Sequence, residues 1–328
     1  MRQIRRRRLL IAMAALFAAP PALPAEPQGK IPRIGFLIAE TVPGTVGRIE
    51  AMRAGLRERG YVEGRNVVID IRAADGTYER LPDLAENLIL LKADVIVAFG
   101  SKAVAAAKRA TTTVPIVVPS STDPVAMGYI KDLARPGGNI TGLAMMSTDL
   151  AIKRMELLKE FVPRIKRLAS TSNPANASST LALKVMRANA AQLKLDLKPF
   201  EARAAKDFDN MFSAIAKAHV DAVLVSQDTL FRAHFKELAT LAAKHRIPSA
   251  GAKEYAEAGG LIGYSADDAE LFRRGAYFVD RILKGAKPSE LPVERPMRFE
   301  LVVNQKTAKA LGITIPQSVL IRADRVIE

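Results

Sequence analysis

The sequence predicts an α/β protein built from two doubly wound parallel-sheet lobes. Short continuous apolar runs alternate with segments of helical periodicity, which is typical of strands that are covered on both faces by helices. This alternation pauses near residues 143–148 and then restarts, which indicates two successive units. The 328 residues, of which 49% are hydrophobic, are enough to form two cores.

The first unit opens with "IPRIGFLIA" (31–39), a continuous apolar run that predicts a buried strand. The next segment, "TVGRIEAMRAGLRERG", predicts a helix, because Ile49, Met52 and Leu56 recur at helical spacing and Gly60 can end it. The remaining predicted elements are a strand at 66–74, a helix at 78–91, a strand at 94–100, a helix at 101–110 and a strand at 115–120.

The second unit repeats the pattern, and its helix at 207–218 places Phe208, Met211, Phe212 and Ile215 on one face. Its other predicted elements are helices at 149–163, 178–193 and 229–245, strands at 167–173, 195–202 and 221–226, and short apolar segments at 247–252 and 260–265. A last strand, "MRFELVVN" (297–304), precedes "QKTAKALG". We expect one lobe to hold residues 30–145 and about 265–295, and the other to hold 146–264 and about 296–328.

The N-terminal segment predicts a secretory signal peptide at residues 1–25. A basic head, "MRQIRRRR", precedes an apolar stretch of 11 residues and "PPALPA", which places cleavage after Ala25. The arginine pairs leave twin-arginine export open, although the general route is favoured. Since the chain has no cysteine, it can carry neither a lipid through a cysteine nor a disulfide. The mature protein is therefore expected in a bacterial periplasm.

The positive charge does not predict nucleic-acid binding. The chain has 49 basic and 34 acidic residues, and five of the basic ones lie in the predicted signal, which leaves 44 − 34 = +10. The basic residues are scattered along helix faces, as in "KRMELLKEFVPRIKR", and only 5% of residues are aromatic. We interpret them as solvated helix faces.

Candidate site residues are those that follow predicted strands, because ligands of open α/β sheets bind at the carboxyl ends of the strands. Ser101 begins a helix, where it can bind a carboxylate or serve as a plain N-cap. Asp123 precedes Pro124, so it can bind an amine or start a turn. The full set is Thr41, Ser101, Thr122, Asp123, Ser172, Asn173, Asn176, Gln227, Asp228, Glu254 and Tyr264.

Signatures of catalysis and of cofactors are missing from the sequence. It has no cysteine nucleophile, no G-x-S-x-G, no phosphate-binding loop and no G-x-G-x-x-G after a strand. His234 and His245 would stand roughly 16 Å apart on one helix, too far to share a metal. An exported enzyme stays open as an alternative, with Asp123 and Asp228 as its acidic pair. A sensory module is a third possibility.

Several segments resemble the ABC-transporter substrate-binding family that includes tryptophan-binding proteins. The most specific are "LARPGGNITG" and the C-terminal "ILKGAKPSELPVERPMRFELVVNQKTAKALGITIPQSVLIRADRVIE". The resemblance implies a type I periplasmic binding protein, whose two lobes share a multi-strand hinge and close on a small molecule such as an aromatic amino acid. It also implies a monomer that delivers this ligand to a membrane permease. The Glu40–Thr41 loop, Ser101 and the Thr122–Asp123 turn would face the cleft from one lobe, opposite the remaining candidates. The "SST" before "DPV" departs from the family pattern.

Overall fold

The computed structural model describes residues 30–328, so the predicted signal peptide lies outside the described residues. The first lobe is built on five parallel strands in the order β2-β1-β3-β4-β5. These strands are β1 (Arg33–Ile38), β2 (Val68–Ala73), β3 (Val95–Phe99), β4 (Ile116–Ser121) and β5 (Ile140–Ala144).

Helices cover both faces of this sheet. Phe36 and Phe99 belong to one buried apolar cluster, whereas their neighbours Leu37 and Ala98 belong to another on the opposite face, as the period of a strand requires. The helices of the first lobe are α1 (Val42–Arg57), α2 (Leu81–Leu90), α3 (Ser101–Ala110) and, much later in the chain, α10 (Asp268–Leu283).

The second lobe is built on seven strands in the order β12-β11-β10-β9-β8-β6-β7. They are β6 (Arg167–Ser172), β7 (Asp196–Glu201), β8 (Ala222–Leu224), β9 (Ser249–Gly251), β10 (Ile262–Ala266), β11 (Phe299–Asn304) and β12 (Arg325–Ile327). All neighbouring strands of this sheet are parallel except β10 and β11, which are antiparallel. The predicted parallel α/β class is therefore confirmed, with β11 as the exception.

The second sheet also has helices and an apolar cluster on each face. Its helices are α4 (Ser147–Phe161), α5 (Ala177–Gln192), α6 (Phe208–Lys217), α7 (Thr229–Arg232), α8 (Phe235–Lys244), α9 (Lys253–Glu257), α11 (Gln305–Leu311) and α12 (Gln317–Arg322). Among residues 30–328, no helix combines the length and the apolar character needed to cross a membrane.

The chain passes between the two sheets three times: from β5 to α4, from β10 to α10, and from residues 291–298 into β11. The third connection runs beside β5, where the Ala144 amide donates to the Glu294 carbonyl at 2.8 Å. The amide of Glu294 in turn donates to the carbonyl of Gly142 at 3.1 Å. These three connections form the multi-strand hinge that was expected.

Some elements differ from the sequence prediction. The helix expected at 229–245 is two helices, α7 and α8, because the chain leaves helical geometry at His234, where φ is −125°. Strand β5 and helix α10 were not predicted, although β5 pairs along β4 and α10 packs on α1.

Candidate ligand-binding cavity between the lobes

A cavity of about 110 Å³ lies between the two lobes, at the carboxyl ends of strands from both sheets. Its position follows from the parallel order of the strands, which brings the segments after them to one edge of each sheet. The first lobe contributes Glu40, Gly100, Ser101, Ser120 and Thr122, and the second contributes Ser170, Thr171, Ser172, Asn176, Ser226, Gln227 and Asp228.

Polar contacts join the two lobes around this cavity. The Ser178 hydroxyl donates to the Ser101 hydroxyl at 3.3 Å, and the hydroxyls of Tyr78 and Thr229 lie 2.9 Å apart. Arg232 of α7 forms an ion pair of 2.5 Å with Asp268, the first residue of α10. Each of these contacts joins a residue of one lobe to a residue of the other, so the two lobes are in contact in this structure.

Ser101 and Asp228 occupy opposite walls. Ser101 is the first residue of α3 and follows Gly100, whose φ of 91° lies in the left-handed region that glycine tolerates. Asp228 is buried at the start of α7 and accepts hydrogen bonds from Asn173 Nδ2 at 3.0 Å and Asn176 Nδ2 at 2.6 Å. The Leu230 backbone amide also donates to it at 2.9 Å, since Asp228 is the N-cap of α7. Three neutral donors therefore hold this carboxylate in place, and no cation among the described residues forms an ion pair with it.

Six of the eleven predicted residues line the cavity: Ser101, Thr122, Ser172, Asn176, Gln227 and Asp228. Of the others, Asn173 lies behind Asp228, and Thr41 accepts a hydrogen bond from the Gly44 amide as the N-cap of α1. Asp123 lies outside the cavity, because its carboxylate accepts from the Ala126 amide at 3.0 Å and holds a turn.

Glu254 and Tyr264 also lie outside the lining. The ring of Tyr264 stacks on Phe299 with centroids 5.9 Å apart, so the packing of β10 on β11 uses the aromatic face that was expected to contact a ligand. Burial raises the pKa of the Glu254 carboxyl, while Arg232 opposes that rise, and its Oε2 atom is buried without a hydrogen-bond partner.

Three arginines of the lining were not predicted from the sequence. Arg48 of α1 pairs with Glu40 and lies 5.7 Å from the ring centroid of Phe272. Arg232 pairs with Asp268, and although burial opposes its charge, Asp268 and other nearby carboxylates raise the pKa of Arg232 above its usual value.

The third, Arg154, is only 2% exposed. Its Nε donates to the Tyr264 carbonyl at 2.7 Å, while its Nη2 is buried without a hydrogen-bond partner. Burial lowers the pKa of Arg154 to about 9, although the negative charge of Glu254 opposes this shift. In the sequence Arg154 stands in "KRMELLKE", which has the composition of a solvated helix face, and no local signal marks it as buried.

Apolar side chains complete the second-lobe wall. They come from α4, from α5 and from the end of β8, and they are Ala151, Ala182, Leu183, Met186 and Leu224. Met145, which precedes α4 and packs in the apolar cluster of the first lobe, adds an apolar group from the other side. A wall of this kind buries an apolar group of a ligand, while polar groups around it fix the ligand's orientation. Both amide atoms of the Gln227 side chain are buried without a partner and are available for such orientation.

The lining therefore combines balanced charge with unsatisfied hydrogen-bonding groups. Arg48 forms an ion pair with Glu40, and Arg232 forms one with Asp268. Arg154 and Asp228 are the two charged residues of the lining that have no ion-pair partner. Among the described residues that line the cavity there is no histidine, cysteine or lysine. The arrangement is suited to binding a small polar molecule that also carries an apolar part.

Comparison with known proteins agrees with this geometry. Residues 41–327 match the family model described as ABC transporter substrate binding protein, so the chain belongs to that family. The fold is that of the type I periplasmic binding proteins.

Three relatives illustrate the similarity. A tyrosine-binding protein of Clostridioides difficile is 25% identical over 261 residues, which span 79% of this chain and 74% of the relative. The crystal structure of a conserved domain protein from Vibrio cholerae superposes with a TM-score of 0.86 at 28% identity, covering 90% of this chain and all of the other. An ABC domain from Streptococcus pneumoniae in complex with L-Trp gives a TM-score of 0.82 at 27% identity, over 90% of this chain and 100% of that one.

Proposed function

We propose that this protein is the periplasmic solute-binding component of an ABC importer. After removal of residues 1–25, it would capture one small molecule between its lobes and deliver that molecule to the membrane permease. The observation that carries the proposal is the cavity between the lobes, whose lining includes buried groups of Arg154 and Gln227 that have no partner within the described protein. Unsatisfied buried polar groups are costly to folding, and a bound solute would satisfy them.

We infer that the ligand is an amino acid, with aromatic amino acids and related carboxylates as the first candidates. The uncompensated charges of Arg154 and Asp228 have the two signs that a zwitterion carries. The apolar wall formed by residues such as Leu183 and Met186 suits a nonpolar side chain. The names of two relatives, a tyrosine-binding protein and a domain in complex with L-Trp, support the same class.

Ligand capture would work by closure of two rigid lobes about the three connections of the hinge. We place the lobe boundaries near residues 145, 265 and 295, where the chain passes from one sheet to the other. A ligand that contacts both walls stabilises the closed arrangement more than the open one, and this difference drives closure. The protein would do this as a monomer, since each chain supplies both walls.

The alternative function, an exported enzyme with an acidic pair, receives less support. Its proposed acids were Asp123 and Asp228, and only Asp228 lines the cavity. Asp228 is held by amide donors, and Asp123 holds a turn. A pair of carboxylates that share one proton or one substrate must converge within a few ångströms, and these two serve different local structures.

A calorimetric titration tests the proposal. The mature protein is titrated with the twenty L-amino acids and with benzoate-type acids, and each sample is then analysed by chromatography. We expect saturable binding of one molecule per chain and full recovery of that molecule. Conversion of the bound compound into a product would show that the protein is an enzyme, and a stoichiometry of two per chain would contradict a single cavity.

A further inference from the structure

The side chain of Arg154 has an unusual environment for an arginine. It lies on α4 beneath the cavity, is 2% exposed, and makes one hydrogen bond, from Nε to the Tyr264 carbonyl at 2.7 Å. No ion pair joins it to any of the described carboxylates, and its Nη2 is buried without a hydrogen-bond partner. A buried cation without an ion pair is strongly unfavourable unless another group supplies a negative charge and accepts its hydrogen bonds.

The other cavity arginines show what Arg154 lacks. Arg48 pairs with Glu40, and Arg232 pairs with Asp268 at 2.5 Å. Glu254 is close enough to Arg154 to act on its charge, yet the Glu254 Oε2 atom is itself without a partner and burial raises the pKa of that carboxyl. Of the three arginines that line the cavity, Arg154 is thus the one whose guanidinium forms no ion pair with a carboxylate.

The charges of the lining also limit which anion can form an ion pair with Arg154. Glu40 and Asp268 are already paired with Arg48 and Arg232, so Arg154 and Asp228 are the charges of the lining without an ion pair. One negative charge on a ligand can pair with Arg154, whereas the second charge of a dianion such as phosphate would have no cation and would be repelled by Asp228. A carboxylate carries one negative charge, and its two oxygens match the planar fork of a guanidinium. Gln227, whose amide nitrogen is also buried without a partner, lines the same cavity and offers a further hydrogen-bond donor to the ligand.

We propose that Arg154 binds the carboxylate of the ligand, so that the cavity selects monocarboxylates and the second lobe holds the anionic end. This inference rests on the proposed function and names the group that the ligand must carry. It also moves the carboxylate away from Ser101, where the sequence placed it. The start of α3 offers roughly half a positive charge through the helix dipole, whereas a buried guanidinium offers a full one. The Ser101 hydroxyl already accepts a hydrogen bond from Ser178.

The test measures affinities by calorimetry, four for each of two amino acids. Wild type and Arg154→Met are each titrated with L-tryptophan and L-tryptophanamide, and then with L-tyrosine and L-tyrosinamide. Each amide keeps the ammonium and the ring but lacks the carboxylate. We expect the wild type to bind the acid about 100-fold more tightly than the amide, because a charge-assisted bond to a buried group is lost. We expect Arg154→Met to bind acid and amide equally.

Two control variants separate this role from a structural one. Lys153→Met removes the same charge from the neighbouring exposed position and should keep the wild-type preference for the acid. Arg154→Lys keeps a cation without the fork and should restore part of that preference. If Arg154→Met instead weakens acid and amide by the same factor, Arg154 only ties α4 to β10 and the proposal is wrong. Equal binding of acid and amide to the wild type would also overturn it.

A result with no binding remains informative. If the wild type binds neither acid nor amide, the amino-acid class of the proposed function is wrong, and thermal unfolding of the ligand-free proteins decides the role of Arg154. A buried guanidinium without its anion destabilises the folded protein. Arg154→Met should then raise the midpoint temperature of unfolding by a few degrees. A lower midpoint in Arg154→Met would identify a structural tie and overturn the proposal.

Discussion

Asp123 and Asp228 both follow a strand end in the sequence, yet their surroundings differ. Asp123 accepts a hydrogen bond from the Ala126 amide and holds a turn outside the cavity. Asp228 lines the cavity, where it accepts hydrogen bonds from the side-chain amides of Asn173 and Asn176 and from the Leu230 backbone amide. Of the two, only Asp228 lines the cavity, and under the proposed function it receives the ammonium group of the amino acid.

We predict that Asp228→Ala weakens the binding of an amino acid by about 100-fold, whereas Asp123→Ala changes it less than about twofold. Asp228→Ala should also lower the free energy of unfolding by roughly 1–3 kcal/mol, because two buried amides lose their acceptor. Calorimetry and urea unfolding measure both effects. Loss of affinity in Asp123→Ala together with normal binding by Asp228→Ala would reverse the assignment.

The charge of Arg154 predicts how affinity depends on pH. Burial lowers its pKa to about 9 from a usual value of 12.5, so the guanidinium is charged below pH 9 and neutral above it. Since only the charged form pairs with a carboxylate, affinity should fall about tenfold between pH 8 and pH 10. The amine-free acids indole-3-acetate and phenylacetate are suitable ligands, because neither carries a group that titrates in this range. Arg154→Met should show no such fall, and a flat wild-type profile would contradict the prediction.

The sequence indicates part of this site through one rule, that ligands bind where parallel strands end. The rule finds Ser101, Gln227 and Asp228, because each lies in the segment that follows the end of a strand. It cannot find Arg154, which projects from a helix into the cavity and whose burial depends on packing between distant segments. It also cannot tell whether an aspartate's side chain caps a local turn outside the cavity, as the Oδ1 atom of Asp123 does.

At the scale of elements, α1 and α10 are far apart in sequence but pack closely in the first lobe. The contact depends on Gly55, where an added Cβ would lie 2.8 Å from the Ala276 Cβ and would also meet the Arg273 carbonyl. A second glycine of the same helix, Gly47, has no atom within 4 Å of such a Cβ. The two glycines thus separate the effect of packing from the effect of helix propensity.

We predict that Gly55→Ala lowers the free energy of unfolding by roughly 1–3 kcal/mol, since the added methyl group forces the helices apart. Gly47→Ala should raise it by about 0.5–1 kcal/mol, because alanine favours an open helical position. Urea unfolding of both variants measures the difference. If the two substitutions have the same effect, the close approach of α1 and α10 is not the cause.

The regular elements are predictable to the extent that local pattern determines them. Helix α3 begins and ends at Ser101 and Ala110 as predicted, because Gly100 breaks the strand before it and apolar residues recur along it. Strand β5 was missed because "ITGLA" is short and contains a glycine, and it becomes a strand only through pairing with β4. The antiparallel direction of β11 depends on the third hinge connection, which has no local signature.

At the scale of the whole molecule, an ion pair between Arg232 and Asp268 holds the lobes together beside the cavity. The Tyr78–Thr229 and Ser101–Ser178 contacts lie across the same gap but join neutral groups. Loss of a buried charge partner costs more than loss of a neutral hydrogen bond. The ion pair should therefore contribute more than either neutral contact to the stability of the closed state.

We predict that ligand reduces the radius of gyration of the wild type in small-angle scattering, as lobe closure requires. Asp268→Ala should bind ligand about tenfold more weakly and show a smaller reduction at equal ligand concentration. Tyr78→Phe, which removes one neutral hydrogen bond, should behave nearly as the wild type does. A radius that ligand does not change at saturation would argue for a rigid molecule without closure.

Native mass spectrometry of protein purified gently from its host tests the central claim, that the cavity between the lobes holds a small carboxylate, most directly. The wild type is compared with Ala182→Trp, which fills the cavity wall on α5. We predict that the wild type carries one small molecule per chain, that the released compound is a monocarboxylic acid, and that Ala182→Trp carries none. Equal occupancy in both proteins, or a released compound without a carboxyl group, would contradict the account.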